Sequence, residues 1–279
     1  MKTRSLPLVL ILLLVFLVLW NNKLGAESDL LKEIQDWQSY TNTTYLYNIT
    51  SHEDKIYLST CGGLSIYSTL TDDYKVLLKK DGLINNDIRC THYVDTTNVL
   101  WIACYNGGIS RYCNGKIIRP YFENDGLLCL QVNQIIDDGH YIFVATNKGL
   151  TVFEIISSTE DPILHQNYTI RNGLCNNIVK CIALDEQNRL WVGTNSGLSY
   201  VNIDSIDIAS AWRSFTSSTS NLTNDKITAL FYADNTIYIG TEQGISYVID
   251  NAVRNLSFPY ADYSISSLIV DSTGCIWAS

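Results

Sequence analysis

Apolar and polar positions alternate in short runs, and the order of those runs repeats. Residues 56–67 read IYLSTCGGLSIY, 100–112 LWIACYNGGISRY, 142–153 IFVATNKGLTVF, 190–200 LWVGTNSGLSY and 237–247 IYIGTEQGISY. A sixth copy starts at Ile276-Trp277. Each copy is apolar, aromatic, apolar, small, Thr, two variable residues, Gly, Leu or Ile, then an apolar or aromatic run. Cys104 replaces the Thr in the second copy, which is one residue longer. The aromatic slot holds Tyr57, Trp101, Phe143, Trp191, Tyr238 and Trp277, and the glycine slot Gly63, Gly108, Gly149, Gly197 and Gly244. Runs this short, β-branched and aromatic, divided by Gly, Asn and Asp, predict strands and tight turns. The slot glycine can take positive φ and close a hairpin. The small residue before Thr leaves room for a close sheet-to-sheet approach, and the aromatic fills the gap between sheets.

A second signature precedes the later copies. Asp81-Gly82-Leu83-Ile84-Asn85-Asn86-Asp87-Ile88 parallels Asn172-Gly173-Leu174-Cys175-Asn176-Asn177-Ile178-Val179, and Asp125-Gly126-Leu127 and Ser220–Ile227 hold the same place. An apolar strand follows, ending at a polar turn: Asp95–Asn98, Asp137–Gly139, Asp185–Asn188, Asp234-Asn235 or Asp271–Gly274. One such unit cannot bury both faces of its sheet. Units of about 45 residues with four strands each do so by standing side by side in a ring. The fold class expected is therefore all-β, a β-propeller of four-stranded blades. About five complete blades plus a truncated sixth are expected, the chain stopping inside a blade at Ser279. Such an open last sheet is expected to lower stability and solubility.

Composition adds direction. The 279 residues are 46% hydrophobic and 17% charged, which suits a folded core. The net charge is −9, and it becomes −12 without Lys2, Arg4 and Lys23 of residues 1–26. An acidic surface repels phosphate, so no nucleic-acid partner is expected. Residues 1–26 read as a cleaved export signal, with a basic start, the apolar run Leu6–Trp20 and a small-residue site at Leu24-Gly25-Ala26. The alternative is an N-terminal membrane anchor. Residues 27–279 then form the propeller in an exported location, periplasmic or extracellular. Residues 29–39 read as either one helical turn or a first strand. Eight cysteines, none spaced C-x-x-C, allow one or two disulfides in an oxidising compartment or serve as small buried hydrophobes.

The unit Asn172-Gly173-Leu174, Asn176-Asn177-Ile178, Asp185, Leu190–Thr194, Gly197-Leu198 and Tyr200 resembles the two-component regulator propeller repeat. So does Trp101–Tyr112, and the likeness runs from about residue 45 to the C-terminus. The resemblance implies a seven-bladed propeller in the exported sensor region of a hybrid two-component system. It also implies a small ligand, commonly a polysaccharide breakdown product, and kinase, membrane-helix and output segments that follow in such proteins. The repeat and the export signal together suggest a sensor that binds such a ligand or forms a homodimer through the propeller faces.

No catalytic motif of the phosphate-loop, dinucleotide, zincin or nucleophile-elbow type occurs, so no enzyme activity is expected and no cofactor. The histidines at 52, 92, 140 and 165 lack metal-ligand spacing, and the Asp-rich turns lack a calcium-loop pattern. A propeller lyase would need a His with converging carboxylates. Only His92 lies on a strand-like run, and the sequence shows no acidic partner for it. The recurring aromatics read as core. A ligand site should use residues that break the repeat, and the candidates are Tyr105, Asn106, Arg111, Arg119, Trp212 and Arg213. A purely protein-interaction propeller is the remaining alternative.

Overall fold

The computed structural model describes residues 45–256 and 263–279. The export-signal reading and residues 29–39 lie outside them. The described residues form five four-stranded antiparallel sheets and one two-stranded sheet, with only short 3-10 turns between. Blade 1 is Leu46–His52 (β1), Lys55–Thr60 (β2), Gly63–Ser68 (β3) and Asp73–Leu77 (β4). Blade 2 is Ile88–Val94 (β5), Val99–Cys104 (β6), Gly108–Cys113 (β7) and Lys116–Tyr121 (β8). Blade 3 is Val132–Asp137 (β9), Tyr141–Thr146 (β10), Gly149–Glu154 (β11) and Ile163–Tyr168 (β12). Blade 4 is Val179–Leu184 (β13), Arg189–Thr194 (β14), Gly197–Asn202 (β15) and Arg213–Phe215 (β16). Blade 5 is Ile227–Ala233 (β17), Thr236–Thr241 (β18), Gly244–Ile249 (β19) and Ala252–Asn255 (β20). Leu268–Val270 (β21) and Ile276–Ala278 (β22) pair as the last sheet.

The first strand of each sheet packs against the first strand of the next, from β1 through β5, β9, β13 and β17 to β21. These strands form the hub. Their inner edges have no strand partner, so neighbouring side chains satisfy the backbone. Thr91 N donates to Asn48 Oδ1 at 3.1 Å, Thr50 Oγ1 donates to Thr91 O at 2.7 Å, and Ile182 N donates to Gln134 Oε1 at 2.8 Å.

The repeat residues act as their slots predict. Tyr57, Trp101, Phe143 and Trp191 are buried between blades. Gly197 has φ +122°, and a Cβ there would sit 2.7 Å from Phe215 O. At Gly193 a Cβ would meet Cys181 Sγ at 2.5 Å and Ile227 Cγ2, on the next blade, at 2.6 Å. That position is thus held small by the packing of blade 4 on blade 5. Each fully buried Leu, Ile or Val in these seams contributes about 1.5–3 kcal/mol of transfer free energy. The slot threonine closes the hairpin locally, its Oγ1 donating to the slot glycine's carbonyl at 2.6–2.9 Å in blades 1, 3, 4 and 5.

The Asn-Asn signature is a turn device. Asn85, Asn176 and Asn224 each accept from the backbone N–H two residues on, while Asn86 and Asn177 accept from Lys79 N and Ile170 N. The segments that precede the hub strands also tie adjacent blades, as where Gly108 N donates to Leu130 O and Gly197 N to Asp225 O. All eight cysteines are free thiols. Cys90, Cys104, Cys129 and Cys181 are buried, and burial pushes the Cys90 thiol up to about 12.

Candidate ligand-binding site

Alternating strand direction gives the molecule two faces. The hairpin face carries the second-to-third strand hairpins and the Asn-Asn turns. The turn face carries the first-to-second strand turns and the third-to-fourth strand connections.

At the hairpin face, each hub strand of the first five blades has a β-bulge at its second residue. Pairing skips from Leu46 to Asn48, Ile88 to Cys90, Val132 to Gln134, Val179 to Cys181 and Ile227 to Ala229. A bulge releases one residue from the pleat and re-aims its side chain. Here it sets Tyr47, Arg89, Asn133, Lys180 and Thr228, one per blade, at the rim of the hub. The framework repeats while these five residues all differ.

Arg89 is the centre of this rim. Its guanidinium lies 4.3 Å from the ring of Tyr47 on the preceding blade and 4.3 Å from that of Tyr105 on its own hairpin. Both rings remain about half exposed. Such a sandwich fixes a flexible cation by cation–π attraction and stacking. Arg89 Nη2 donates to Asp87 Oδ2 at 2.9 Å. Arg89 Nε, Asp87 Oδ1 and Thr228 Oγ1 are shielded atoms with no internal hydrogen-bond partner. Asn133 Nδ2 donates to Asn147 Oδ1 and to Val179 O, which holds the amide at the seam of blades 3 and 4. The rim therefore offers two aromatic faces, a fixed cation, a carboxylate and an amide.

The sequence-predicted residues fall into three places. Tyr105 and Asn106 sit on the blade 2 hairpin, the Tyr105 ring against Arg89 and Asn106 at φ 49°. Arg111 and Arg119 converge on Asp161 of blade 3, at 2.8 and 3.7 Å. Trp212 is buried, its Nε1 donating to Ile206 O at 3.0 Å, and the neighbouring Arg213 is exposed and donates to Ser210 O. The bulge residues escaped the sequence reading. Their signal is a position that varies between repeating neighbours, just after the first apolar residue of each hub strand.

The turn face holds all four histidines, each beside a carboxylate. His52 Nδ1 is 3.1 Å from Asp95 Oδ1, His92 Nε2 is 2.6 Å from Asp137 Oδ1, and His165 Nε2 is 3.2 Å from Asp207 Oδ1. These three pairs each join one blade to the next. His140 lies 3.6 Å from Glu154 within blade 3. His92 thus has an acidic partner after all, one repeat away on the adjacent hub strand. Among the described residues no cluster of three or more His, Cys, Asp or Glu is arranged to hold a metal ion. No helix among them is long and apolar enough to cross a membrane.

Antiparallel four-stranded sheets standing around a hub of first strands make this protein a β-propeller. Residues 173–196 match the two component regulator propeller family, so the chain carries that family's repeat, centred on the signature around Trp191. No curated protein sequence shows significant similarity to it. Among solved structures it is similar to the extracellular domain of a putative hybrid two component system from B. thetaiotaomicron, at 20% identity and TM-score 0.69 over 86% of this chain. It is also similar to PorZ, a bacterial surface component of the type-IX secretion system of Porphyromonas gingivalis, at 14% identity and TM-score 0.65 over 84%. The computationally designed Ika8 protein aligns at 10% identity and TM-score 0.56, over 84% of this chain and 70% of that one. The chain spans about a third of the first two structures, 32% of each.

Proposed function

We propose that this protein is the ligand-sensing propeller of an exported signalling protein, and that it binds a small glycan-derived molecule at the hub rim of the hairpin face. The observation carrying this reading is the Tyr47–Arg89–Tyr105 sandwich, built around a bulge position at which all five blades carry a different residue. A ring of like blades has no unique pocket unless some residues break the likeness. Sugar rings present C–H faces that stack on tyrosine and hydroxyls that both donate and accept. Arg89, Asp87 and Asn133 supply the matching donors and acceptors. The likeness to an extracellular domain of a putative hybrid two component system supports an exported location, periplasmic or extracellular, with any output carried elsewhere.

Calorimetric titration of the full chain with a panel of neutral oligosaccharides tests this. At least one should bind, and Arg89→Gln and Tyr105→Ala should each weaken it by about tenfold, as loss of a charged hydrogen bond or a stacking face does. Binding that ignores both substitutions, or no binding across the panel, overturns the assignment of this rim.

A further inference from the structure

In each blade, the residue paired with the slot aromatic is the third strand's contribution to the seam. Tyr57 faces Ile66, Phe143 faces Val152, Trp191 faces Tyr200 and Tyr238 faces Tyr247. In blade 2, Trp101 faces Arg111. That arginine is 2% exposed, so blade 2 alone among the five sets a buried cation there. Its guanidinium lies 4.7 Å from the ring of Tyr121 and 6.0 Å from that of Trp101, and Phe153 of blade 3 completes the aromatic wall. Nε donates to Arg119 O at 2.7 Å.

The counter-charge comes from elsewhere. Asp161 belongs to the connection 155–162 between β11 and β12 of the next blade, and its side chain is half exposed. Arg119, itself exposed and bonded to Asp125, also reaches Asp161. Pro162 O accepts from the hydroxyl of Tyr121, which burial pushes up to about 12 and keeps as a donor. The fit at the arginine is incomplete. Nη2 is 2.8 Å from Asp161 Oδ1 but makes no directed hydrogen bond, and the Trp101 indole N–H is fully buried without a partner. Donors outnumber acceptors in this cross-strand pair. A buried cation held by one half-exposed carboxylate on a connecting segment is a site that another carboxylate can take, at no cost in unpaired charge.

We propose that Arg111 and Arg119, walled by Trp101 and Tyr121, form a carboxylate-binding site in which Asp161 is the resident internal ligand, displaced by the carboxylate of a small organic acid. The exchange makes and breaks no covalent bond. It trades one carboxylate for another on Arg111 and loosens segment 155–162, which Tyr121 still holds through Pro162 O and Ile155 through the core. This couples ligand binding to a change at the seam of blades 2 and 3. The site is separate from the hub rim and stands independently of the reading given to it.

The test uses the full chain, with sodium glucuronate, glucose and sodium acetate as probes in calorimetry. Asp161→Asn removes the competing charge and should tighten glucuronate binding by about tenfold over the native chain. Glucuronate should also speed protease cleavage within 155–162 of the native chain, and glucose should do neither. Acetate acting as well as glucuronate assigns recognition to the carboxylate alone, and glucuronate acting without acetate adds the sugar ring. Arg111→Gln should abolish both effects while Arg89→Gln leaves them intact, so a failure here is distinct from a failure at the rim. Should Arg111→Gln not fold, the Asp161→Asn comparison still decides. No gain in glucuronate binding by Asp161→Asn, with cleavage of 155–162 unaltered by glucuronate, overturns the site and leaves Asp161 as a structural clasp.

Discussion

Blades 2 and 4 place a tryptophan in the same slot, fully buried in both, and surround it in opposite ways. In blade 4, Trp191 Nε1 donates to Asp185 Oδ2 at 2.7 Å. The same carboxylate accepts from Arg189 Nε at 2.6 Å and from the backbone N–H groups of Gln187 and Arg189. Tyr200 and Phe215 continue the stack outward at 4.6 and 5.6 Å. In blade 2, Trp101 Nε1 has no acceptor. The spacing from Asp to Trp is the same in both blades, yet Asp95 is not the counterpart of Asp185. His92 pairs with Trp101 as Ala183 pairs with Trp191, and two residues on stand Val94 and Asp185. Val94 pairs with Val99 where blade 4 has Asp185 and Arg189. The blade 2 turn holds one more residue, so Asp95 moves out to an 80% exposed position and meets His52 of blade 1 instead. Blade 4 is thus locked by a buried carboxylate, paired with a partly exposed arginine, that serves an indole, and blade 2 by an apolar pair that leaves its indole unserved.

The largest effect should come from making blade 4 resemble blade 2. Asp185→Val strands the Trp191 N–H and Arg189 Nε, the guanidinium keeping its bonds to Asn251 and Gln187, and should cost about 3 kcal/mol in chemical denaturation. Adding Arg189→Val imports the Val94/Val99 pair and should recover about 1–2 kcal/mol of that loss. Should the single change cost under about 1 kcal/mol, the carboxylate is not what organises this blade.

A smaller difference separates the indoles themselves. Trp191→Phe deletes a donor and orphans part of Asp185, and should cost about 2 kcal/mol. Trp101→Phe deletes a donor that has no acceptor, so its lost packing is offset and the net change should stay within about 1 kcal/mol. Equal losses in parallel unfolding curves would remove the energetic meaning of the comparison.

Most of the blade framework could be read directly from the repeat. Hydrophobic period, slot glycines and Asn-Asn turns are local, and Gly193 and Gly240 announce close blade packing by being small. What lies between blades could not be read. His92 and Asp137 are 45 residues apart, and Asp161 is 50 residues from Arg111. Such pairs join neighbouring repeats whose turn lengths differ, so spacing alone does not show which residues meet. The Asp95 turn carries the same lesson at short range, because one extra turn residue reassigns a carboxylate that the spacing equates with Asp185. Of the predicted site residues, Tyr105 falls at the hub rim because hairpin tips are local. Arg89 was missed because a bulge is a property of pairing and leaves only a varying position in the sequence.

The last sheet offers a third version of the same device, and the smallest effect. Asp271 Oδ2 accepts from Trp277 Nε1 at 2.8 Å, as Asp185 does from Trp191, but no arginine joins it. In place of the arginine, Oδ1 takes the Thr273 hydroxyl at 2.6 Å and the N–H groups of Thr273 and Cys275. Those bonds favour the charged form, so the Asp271 carboxyl is held at about 2, the Thr273 hydroxyl contributing most and the Trp277 indole next. Because the folded value lies below the unfolded one, the contribution of this cap is complete above the ordinary carboxylate range. It is lost as pH falls through about 2. Thr273→Val keeps the indole bond and both backbone bonds but removes the largest cause. The Asp271 titration, followed by the NMR shift of its carboxyl carbon, should move upward towards the usual range. Trp277→Phe should move it upward by less. An unmoved titration in both variants would mean that the turn's backbone N–H groups hold this carboxylate alone, and that the indole acceptor of blade 4 has no counterpart here.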